Sequence, residues 1–423
     1  MALRVGLLGF GTVGSSFAEV LATSEAEVRI TRIFNRDVER KKSHAKAKFV
    51  PAETIWTSDA TEVVTADDVD VVVEVIGGLD PIEGWLQAAL QAGKHVVTAN
   101  KQLIAYRGSE LIALAAEKGV QLRYNAAVAG GVPVIPGIVS GLSGDRITRI
   151  SGILNGTCNF ILSAMESGAE YADVLKKAQS LGYAEANPSA DVDGFDARAK
   201  LCVLARLALR AELNPDEVPA QTISSVSAID FAYAKELGCT VRQISRAERD
   251  GDGAVRARVG PMLVPKEMPI AWSHDTQNMV VTSGLFGGDV VFSGHGAGGH
   301  PTAVAVMSDV FTLTSGSGQV RFVAAKIEVN GDVRAPHYLR FIVKDKPGIV
   351  ASIAGVLAEH DINIDALLQH RGHSPENLPF VVTTEPCLRS QLESAVAAMT
   401  RLDFMLEPPL VMQMLTSDDH PTD

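Results

Sequence analysis

Between positions 185 and 200, four carboxylates (Glu185, Asp191, Asp193 and Asp196) share a short stretch with Lys200. Asp196 and Lys200 are four residues apart, so on a helix they share a face and their charges can meet. Gly194 stands near the helix start, and Leu201, Leu204 and Leu207 continue it at helical spacing. Two readings compete. Asp191 or Asp193 can be a helix cap and Asp196 with Lys200 an exposed ion pair. Alternatively, carboxylates crowded around one ammonium beside a polar, turn-rich loop form a site with perturbed acidities. Residues 152–160 (GILNGTCNF) alternate small and polar positions with apolar ones, as where backbone approaches a polar ligand or where a strand simply turns into a helix.

The elements that must position these groups begin at the N-terminus. Residues 4–8 read as a short buried strand, and Gly9, Gly11 and Gly14 punctuate the loop into a helix over 15–21. In such a loop the first glycine permits the tight turn, the second lets a pyrophosphate approach the backbone, and the third permits close helix packing. The helix N-terminus then offers unpaired N–H donors to phosphate. A second strand, 28–34, ends at Asn35-Arg36, where an acidic residue would hold the ribose hydroxyls of NAD. Arg36, with Arg40, Lys41 and Lys42, is instead either a reader of the 2′-phosphate of NADP or a solvated basic turn. A strand over 69–76 running into Gly77-Gly78, a helix over 82–92, a strand over 94–98 and a helix over 108–118 follow. This alternation means an α/β, doubly wound parallel sheet, whose ligands lie beyond the carboxyl ends of the strands. Asn100 and Lys101 follow one such end. Residues 126–133 (AAVAGGVP) are small enough to line a cavity or cation site with carbonyls, or to form a tight crossing.

Composition bounds the function. The chain is 46% hydrophobic and 21% charged, which suits several packed cores and not disorder. Its net charge of −12 has the wrong sign for a nucleic-acid partner. No apolar run is long enough to span a membrane, and Glu74 interrupts the best candidate. The apolar residues 3–13 contain three glycines, which the nucleotide loop explains better than a signal peptide. Cysteines 158, 202, 239 and 387 lack zinc spacings and are too sparse for a disulfide scaffold, so a reducing, cytoplasmic setting is expected.

Residues 178–200 contain A-x-x-x-G-aromatic-A, then N-P, D-V-x-G-x-D and a terminal lysine, and here the sequence resembles homoserine dehydrogenase. The resemblance extends through Glu74 to Gly78 (EVIGG), His95 to Lys101 (HVVTANK), residues 126–133, Asn155 to Asn159 (NGTCN) and Gly296 to Thr302 (GAGGHPT), nearly the entire chain. It implies a Rossmann-type domain over 1–130, with 300–320 returning to it, and an α+β catalytic and dimerisation domain over 131–299. The implied reaction interconverts L-aspartate 4-semialdehyde and L-homoserine with NADP or NAD. By resemblance, Lys200 is the acid and base, Lys101 the second active-site lysine, and Glu185 the holder of the substrate ammonium. Asp191 and Asp196 orient substrate and lysine, with Gly156 and Thr157 also binding substrate. Gly9, Gly11, Thr12, Val13, Gly14, Asn35, Arg36, Gly77, Thr98, Asn100, Lys101 and Gly298 match the cofactor site. Two departures stand out. Asn125 replaces a usual glutamate that, with carbonyls matching Val128, Gly130 and Val132, surrounds a monovalent cation such as sodium; an amide oxygen is a weaker, neutral ligand. Pro136 replaces a lysine common in bacterial members. His295 and His300, five apart on a glycine loop, do not make a metal site.

After a strand expected over 320–329, the pattern restarts at 337–415 as βαββαβ. This module resembles an ACT domain, in which Gly348 and Asn363 match the positions that receive an amino-acid effector. The acidic tail 416–423 reads as disordered. The leading expectation is a homodimeric or homotetrameric dehydrogenase of threonine, methionine and isoleucine biosynthesis with threonine feedback. The alternatives are a non-catalytic NAD(P) and amino-acid sensor, which loss of Lys200 would have favoured, and a dehydrogenase of another small aldehyde.

Overall fold

The computed structural model describes residues 2–249, 253–315 and 324–416. Six strands, β1 (Leu3–Leu8), β2 (Val28–Phe34), β3 (Ile55–Thr57), β4 (Val71–Glu74), β5 (His95–Thr98) and β6 (Leu122–Arg123), form one parallel sheet in the order β3-β2-β1-β4-β5-β6. Leu7, Leu8 and Val71, Val72 and Val73 are fully buried, as a sheet covered on both faces requires. The strand order reverses between β1 and β4, and the crevice at their carboxyl ends is the switch point where such sheets bind ligands.

Helix α1 (Thr12–Ala22) leaves that crevice directly after the glycine loop. Gly9 has φ +102, and a side chain at Gly14 would strike the Gly9 carbonyl, so both glycines are dictated by backbone geometry. A later helix, Gly299–Thr314, returns to this part of the molecule. Its Ala303, Val306, Met307 and Val310 share one core with Val5, Leu7 and Phe17. Gly299 backs onto Ser16 and the Thr12 carbonyl, where a Cβ would collide. Residues 316–320 of the expected returning segment, residues 320–323 of the expected strand and the tail from 417 lie outside the described residues; within that strand the described pairing is the short strand Ala325–Lys326 and a single parallel bridge from Val329 to Val255.

The helix expected over 108–118 begins earlier, spanning Lys101–Glu117. Asn100 caps it, its Oδ1 accepting from the Leu103 N–H at 3.1 Å. Gly108 is therefore a mid-helix glycine, kept because the Arg206 guanidinium crosses over it to reach the Ile104 carbonyl at 2.7 Å.

A second sheet has nine strands and joins the middle of the chain to its C-terminal module. Strands Gly288–His295, Gln277–Gly284, Ile147–Ile153, Cys239–Arg249 and Val255–Pro265 are antiparallel neighbours in that order. Leu410–Met414, His337–Val343, Leu378–Thr384 and Ile364–Leu368 continue the sheet. The seam is parallel and short, pairing Met262 with Gln413 and Leu263 with Met414. Helices Ile349–Glu359 and Arg389–Met399 close the module's own core around Leu339, Phe341, Ile353, Phe380 and Leu392. Helix Phe195–Ala208 packs with Ile147, Ile150 and Ala247 of the first part of the sheet, which fixes the position of Asp196 and Lys200.

Candidate active site

Helix Phe195–Ala208 starts at Gly194, whose φ of +83 serves as the cap, so neither Asp191 nor Asp193 is needed for that task. Asp196 and Lys200 meet across one turn, Lys200 Nζ donating to Asp196 Oδ2 at 2.7 Å. This is not a surface pair: their side chains are only 10% and 12% exposed. Lys200 Nζ also donates to the Leu154 carbonyl at 2.8 Å. An ammonium has three donors, and the third is unused among the described residues.

Lys101 arrives from the other sheet, at the start of its helix, with Nζ 3.0 Å from Asp196 Oδ1. Each Asp196 oxygen thus faces a different lysine. Asn155, which caps helix Gly156–Glu166 through Cys158 N–H at 2.9 Å, aims its amide at both acids, 2.7 Å from Asp191 Oδ1 and 2.9 Å from Asp196 Oδ2. Burial works against the Asp196 charge, but Lys200, Lys101 and the bonds from Lys200 and Asn155 outweigh it and hold its carboxyl well below the usual range. On Asp191 burial acts in the same sense but prevails and raises its pKa, helped by the Asp196 charge and offset only in part by Asn155 and the lysines. Neighbouring carboxylates with oppositely shifted pKa values are a mark of a working site.

Gly156 backs onto the Thr276 carbonyl, with no room for a Cβ, and the Thr157 hydroxyl donates to the Tyr183 carbonyl at 2.7 Å. That bond ties the turn before Glu185 to the site. Glu185 itself is exposed, and no described residue bonds its carboxylate. Beside it a cleft of about 470 Å³ opens between Phe160, Tyr183, Thr276 and His295. His295 thus stands near the site, whereas His300 turns away to Glu19 at 2.9 Å, alongside Lys46 at 2.7 Å from the same carboxylate.

The cofactor candidates converge on the crevice. Gly11, which precedes α1, has open space where a side chain would be, as a loop approached by phosphate needs. Glu74, buried at the end of β4, accepts from Ile76 and Gly77 N–H at 2.7 and 2.8 Å and from the Thr98 hydroxyl at 2.5 Å. Asn100 donates to the Gly78 carbonyl at 2.6 Å. Glu74 therefore ties Gly77 to Thr98, and Asn100 joins them through Thr98 and Gly78; the sequence marks Glu74 as a charge breaking an apolar run and as the start of the EVIGG segment, without this role. In the sequence Asn155 stands out only as part of the small and polar 152–160 stretch and of the NGTCN segment that resembles the family. At the end of β2, Arg40 and Lys42 pair with Asp37 and Glu39 at 3.1 and 3.2 Å, while Arg36 is exposed and unbonded among the described residues.

Residues 129–132 cross tightly over the returning loop: a Cβ on Gly130 would meet Gly296, and Gly131 donates to the His295 carbonyl at 3.2 Å. Asn125 N–H donates to Asp309 Oδ2 at 2.9 Å. Asp309 is fully buried with Oδ1 unbonded, and burial pushes its carboxyl up to about 7 against the opposing effect of Asn125 and Arg123.

In the C-terminal module, Gly348, with φ +94, caps its helix and lines a cleft of about 500 Å³ with Lys346, Gln369 and Phe380. Asn363 is not on that cleft; it precedes the opposite end of strand Ile364–Leu368 and donates to Glu385 at 3.0 Å.

Residues 133–311 match the homoserine dehydrogenase family model, and residues 9–125 match its NAD-binding domain. The chain belongs to the homoserine dehydrogenase family. Residues 337–404 match the ACT domain. A homoserine dehydrogenase of Bacillus subtilis is 37% identical over 96% of each chain, and one of Pseudomonas aeruginosa is 38% identical over 96% of this chain and 97% of its own. The crystal structure of a homoserine dehydrogenase from Thiobacillus denitrificans superposes with TM-score 0.90 at 35% identity, covering 98% of both chains. A hyperthermophilic archaeal homoserine dehydrogenase in complex with NADPH aligns over 76% of this chain and all of its own, with TM-score 0.66 and 28% identity. The activity is that of homoserine dehydrogenase, an NAD(P)-dependent oxidoreductase, with a nicotinamide dinucleotide as cofactor and a small molecule as substrate. No described helix is long and apolar enough to cross a membrane.

Proposed function

We propose that Lys200 is the acid and base that interconverts L-aspartate 4-semialdehyde and L-homoserine, with NADP favoured over NAD. The observation that carries this reading is the unused donor of Lys200, beside an Asp196 carboxylate that holds Lys200 and Lys101 at 2.7 and 3.0 Å. The dinucleotide, when bound over Gly9, Gly11, Thr12, Val13, Gly14 and Gly298, supplies or accepts the hydride at the substrate's carbonyl carbon. As the carbonyl becomes an alkoxide, Lys200 gives its oxygen a proton; in the reverse direction the Lys200 amine takes the hydroxyl proton. Lys101 supplies positive charge to the same oxygen, Asp196 fixes both ammonium groups, and Asn155 fixes Asp196. Asp191 orients substrate, Gly156 and Thr157 shape its cleft, and Glu185 pairs with its ammonium once the amino acid is in place.

Arg36, unbonded at the end of β2 beside Asn35, is the reader of the 2′-phosphate, a preference supported by the NADPH bound to the archaeal relative. The same reading divides the chain at 1–130, 131–299 and 337–415, makes it a cytoplasmic homodimer or homotetramer, and places it in threonine, methionine and isoleucine biosynthesis. Threonine then acts as feedback effector at the Gly348 cleft of the ACT domain. A monovalent cation such as sodium would be held by Asn125 with the carbonyls of Val128, Gly130 and Val132, next to Asp309, whose carboxyl accepts from the Asn125 N–H and is only partly ionised near neutral pH. The test is homoserine-dependent reduction of NADP and of NAD by the purified chain. Turnover faster with NADP is expected; no turnover with either would overturn the reading in favour of a sensor or another aldehyde.

A further inference from the structure

The seam between the catalytic sheet and the ACT module pairs only two residues of each strand. A cavity of about 760 Å³ opens beside it, with Arg258 and Gln221 on one side and Leu392 and Val396 of helix Arg389–Met399 on the other. It is separate from the Gly348 cleft and from the Lys200 site, neither of which shares a lining residue with it.

Arg258 is the anomaly in this cavity. It is 9% exposed, yet no described carboxylate pairs with it. Among the described residues its guanidinium has only two amide oxygens, Gln413 Oε1 at 3.0 Å and Gln221 Oε1 at 3.5 Å, and its Nε has no partner. Buried arginines are otherwise paired. The cavity's other cations already hold acids: Arg389 binds Glu393 at 2.6 Å, and Arg340 binds the buried Asp230 and, at 3.4 Å, Glu407. His337, also on the wall, is kept neutral at neutral pH, its pKa pushed down to about 4 by burial and by Arg258 and Arg389. Burial together with the repulsion of Arg389 weakens the hold of Arg258 on its own proton, outweighing the nearby Glu393, and lowers its pKa to about 9. Of its donors, Nη2 is held among the described residues only by the long 3.5 Å contact to Gln221, and an anionic oxygen of a carboxylate or phosphate would suit it better than an amide oxygen. Leu392, Val396, Pro408 and Pro409 give the rest of the cavity an apolar lining, and its size is that of a small-molecule site.

We propose that this interdomain cavity binds a small organic anion, its carboxylate or phosphate on Arg258 and its apolar body against Leu392 and Val396. The test is calorimetry and thermal unfolding of the full chain with the nucleotide loop saturated by NADP, which removes the competing phosphate site. Inorganic phosphate, phenyl phosphate and phenylacetate are the probes. The expected result is binding of an aryl probe more tightly than inorganic phosphate, weakened at least ~tenfold by Arg258→Met, equivalent to about 1.4 kcal/mol. Tighter phenyl phosphate identifies a phosphate ligand, and tighter phenylacetate a carboxylate. Arg258→Met without probe should melt no lower than the parent, since an unpaired buried charge has been replaced by an apolar chain. Arg389→Gln, at the half-buried rim, should fold normally and weaken binding less. No binding of any probe at concentrations of about 10 mM, binding unchanged by Arg258→Met, or a lower melting point for Arg258→Met with no probe effect on the parent would each overturn the proposal.

Discussion

Replacing Asp196 by asparagine keeps the side-chain shape but removes the charge that contacts both lysines directly, and its effect can be apportioned. If Lys200 transfers the proton, Lys200→Met should lower kcat by about 10²–10⁴-fold, or roughly 3–5 kcal/mol of transition-state stabilisation. Breaking a buried ion pair by removing one partner costs about 3–5 kcal/mol, and the Asp196–Lys200 contact qualifies, at 2.7 Å with both side chains nearly buried. The Lys101 contact, 3.0 Å long, involves a lysine whose side chain is 37% exposed, so water screens it and its share is smaller. Asp196→Asn should therefore lower kcat by about 10²–10³-fold in the parent. In a Lys200→Met background only the Lys101 share remains, and the further loss should be about tenfold or less. The coupling in this double-mutant cycle is thus about 1.4–4 kcal/mol. Initial rates of homoserine-dependent NADP reduction at saturating substrate, with unfolding curves to establish that each variant is folded, measure it. Equal losses from Asp196→Asn in both backgrounds would refute the positioning role, and a Lys200→Met enzyme within about threefold of the parent would refute the acid–base role.

The remaining expectations are independent of that cycle. Arg36→Ser should raise KM for NADP by about tenfold and leave KM for NAD nearly unchanged, measured by steady-state kinetics with each dinucleotide. His337 is 2% exposed and its folded pKa, about 4, lies below the ordinary 6.5, so its stabilising contribution is complete above pH 6.5 and lost as pH falls toward 4. That amounts to roughly 3 kcal/mol, and His337→Gln should flatten the urea-unfolding free energy across this window; an unchanged slope would count against it. Gly348→Asp, at a φ of +94 and on the rim of the module's cleft, should abolish threonine inhibition while sparing kcat in its absence. Inhibition curves that match the parent would remove threonine from that cleft.

What could be read along the chain was whatever depends on local spacing. Gly9 and Gly14 had to be glycines because one turns the backbone and the other lies against it. Asp196 and Lys200 had to share a helix face because they are four residues apart, although spacing could not tell a surface pair from a buried one. The βαββαβ order of the last module was equally local, since each element carries its own periodicity and turn residues. Helix ends were less legible: Gly108 looked like a beginning because the Arg206 side chain that demands a glycine there lies 98 positions further on.

Tertiary structure decided everything that requires distant residues to meet. Lys101 reaches Asp196 only because a Rossmann-type sheet and an antiparallel sheet set two helices side by side. Asp309 comes to Asn125 only through the returning helix, and Gly348 and Asn363 are separated because they stand at different ends of neighbouring elements. The seam that leaves Arg258 buried without an acid joins strands about 150 residues apart, and a pairing of two residues carries no hydrophobic period of its own to announce it. Sequence periodicity records which face of an element is buried; which charges share that burial is set by the packing of whole elements against one another.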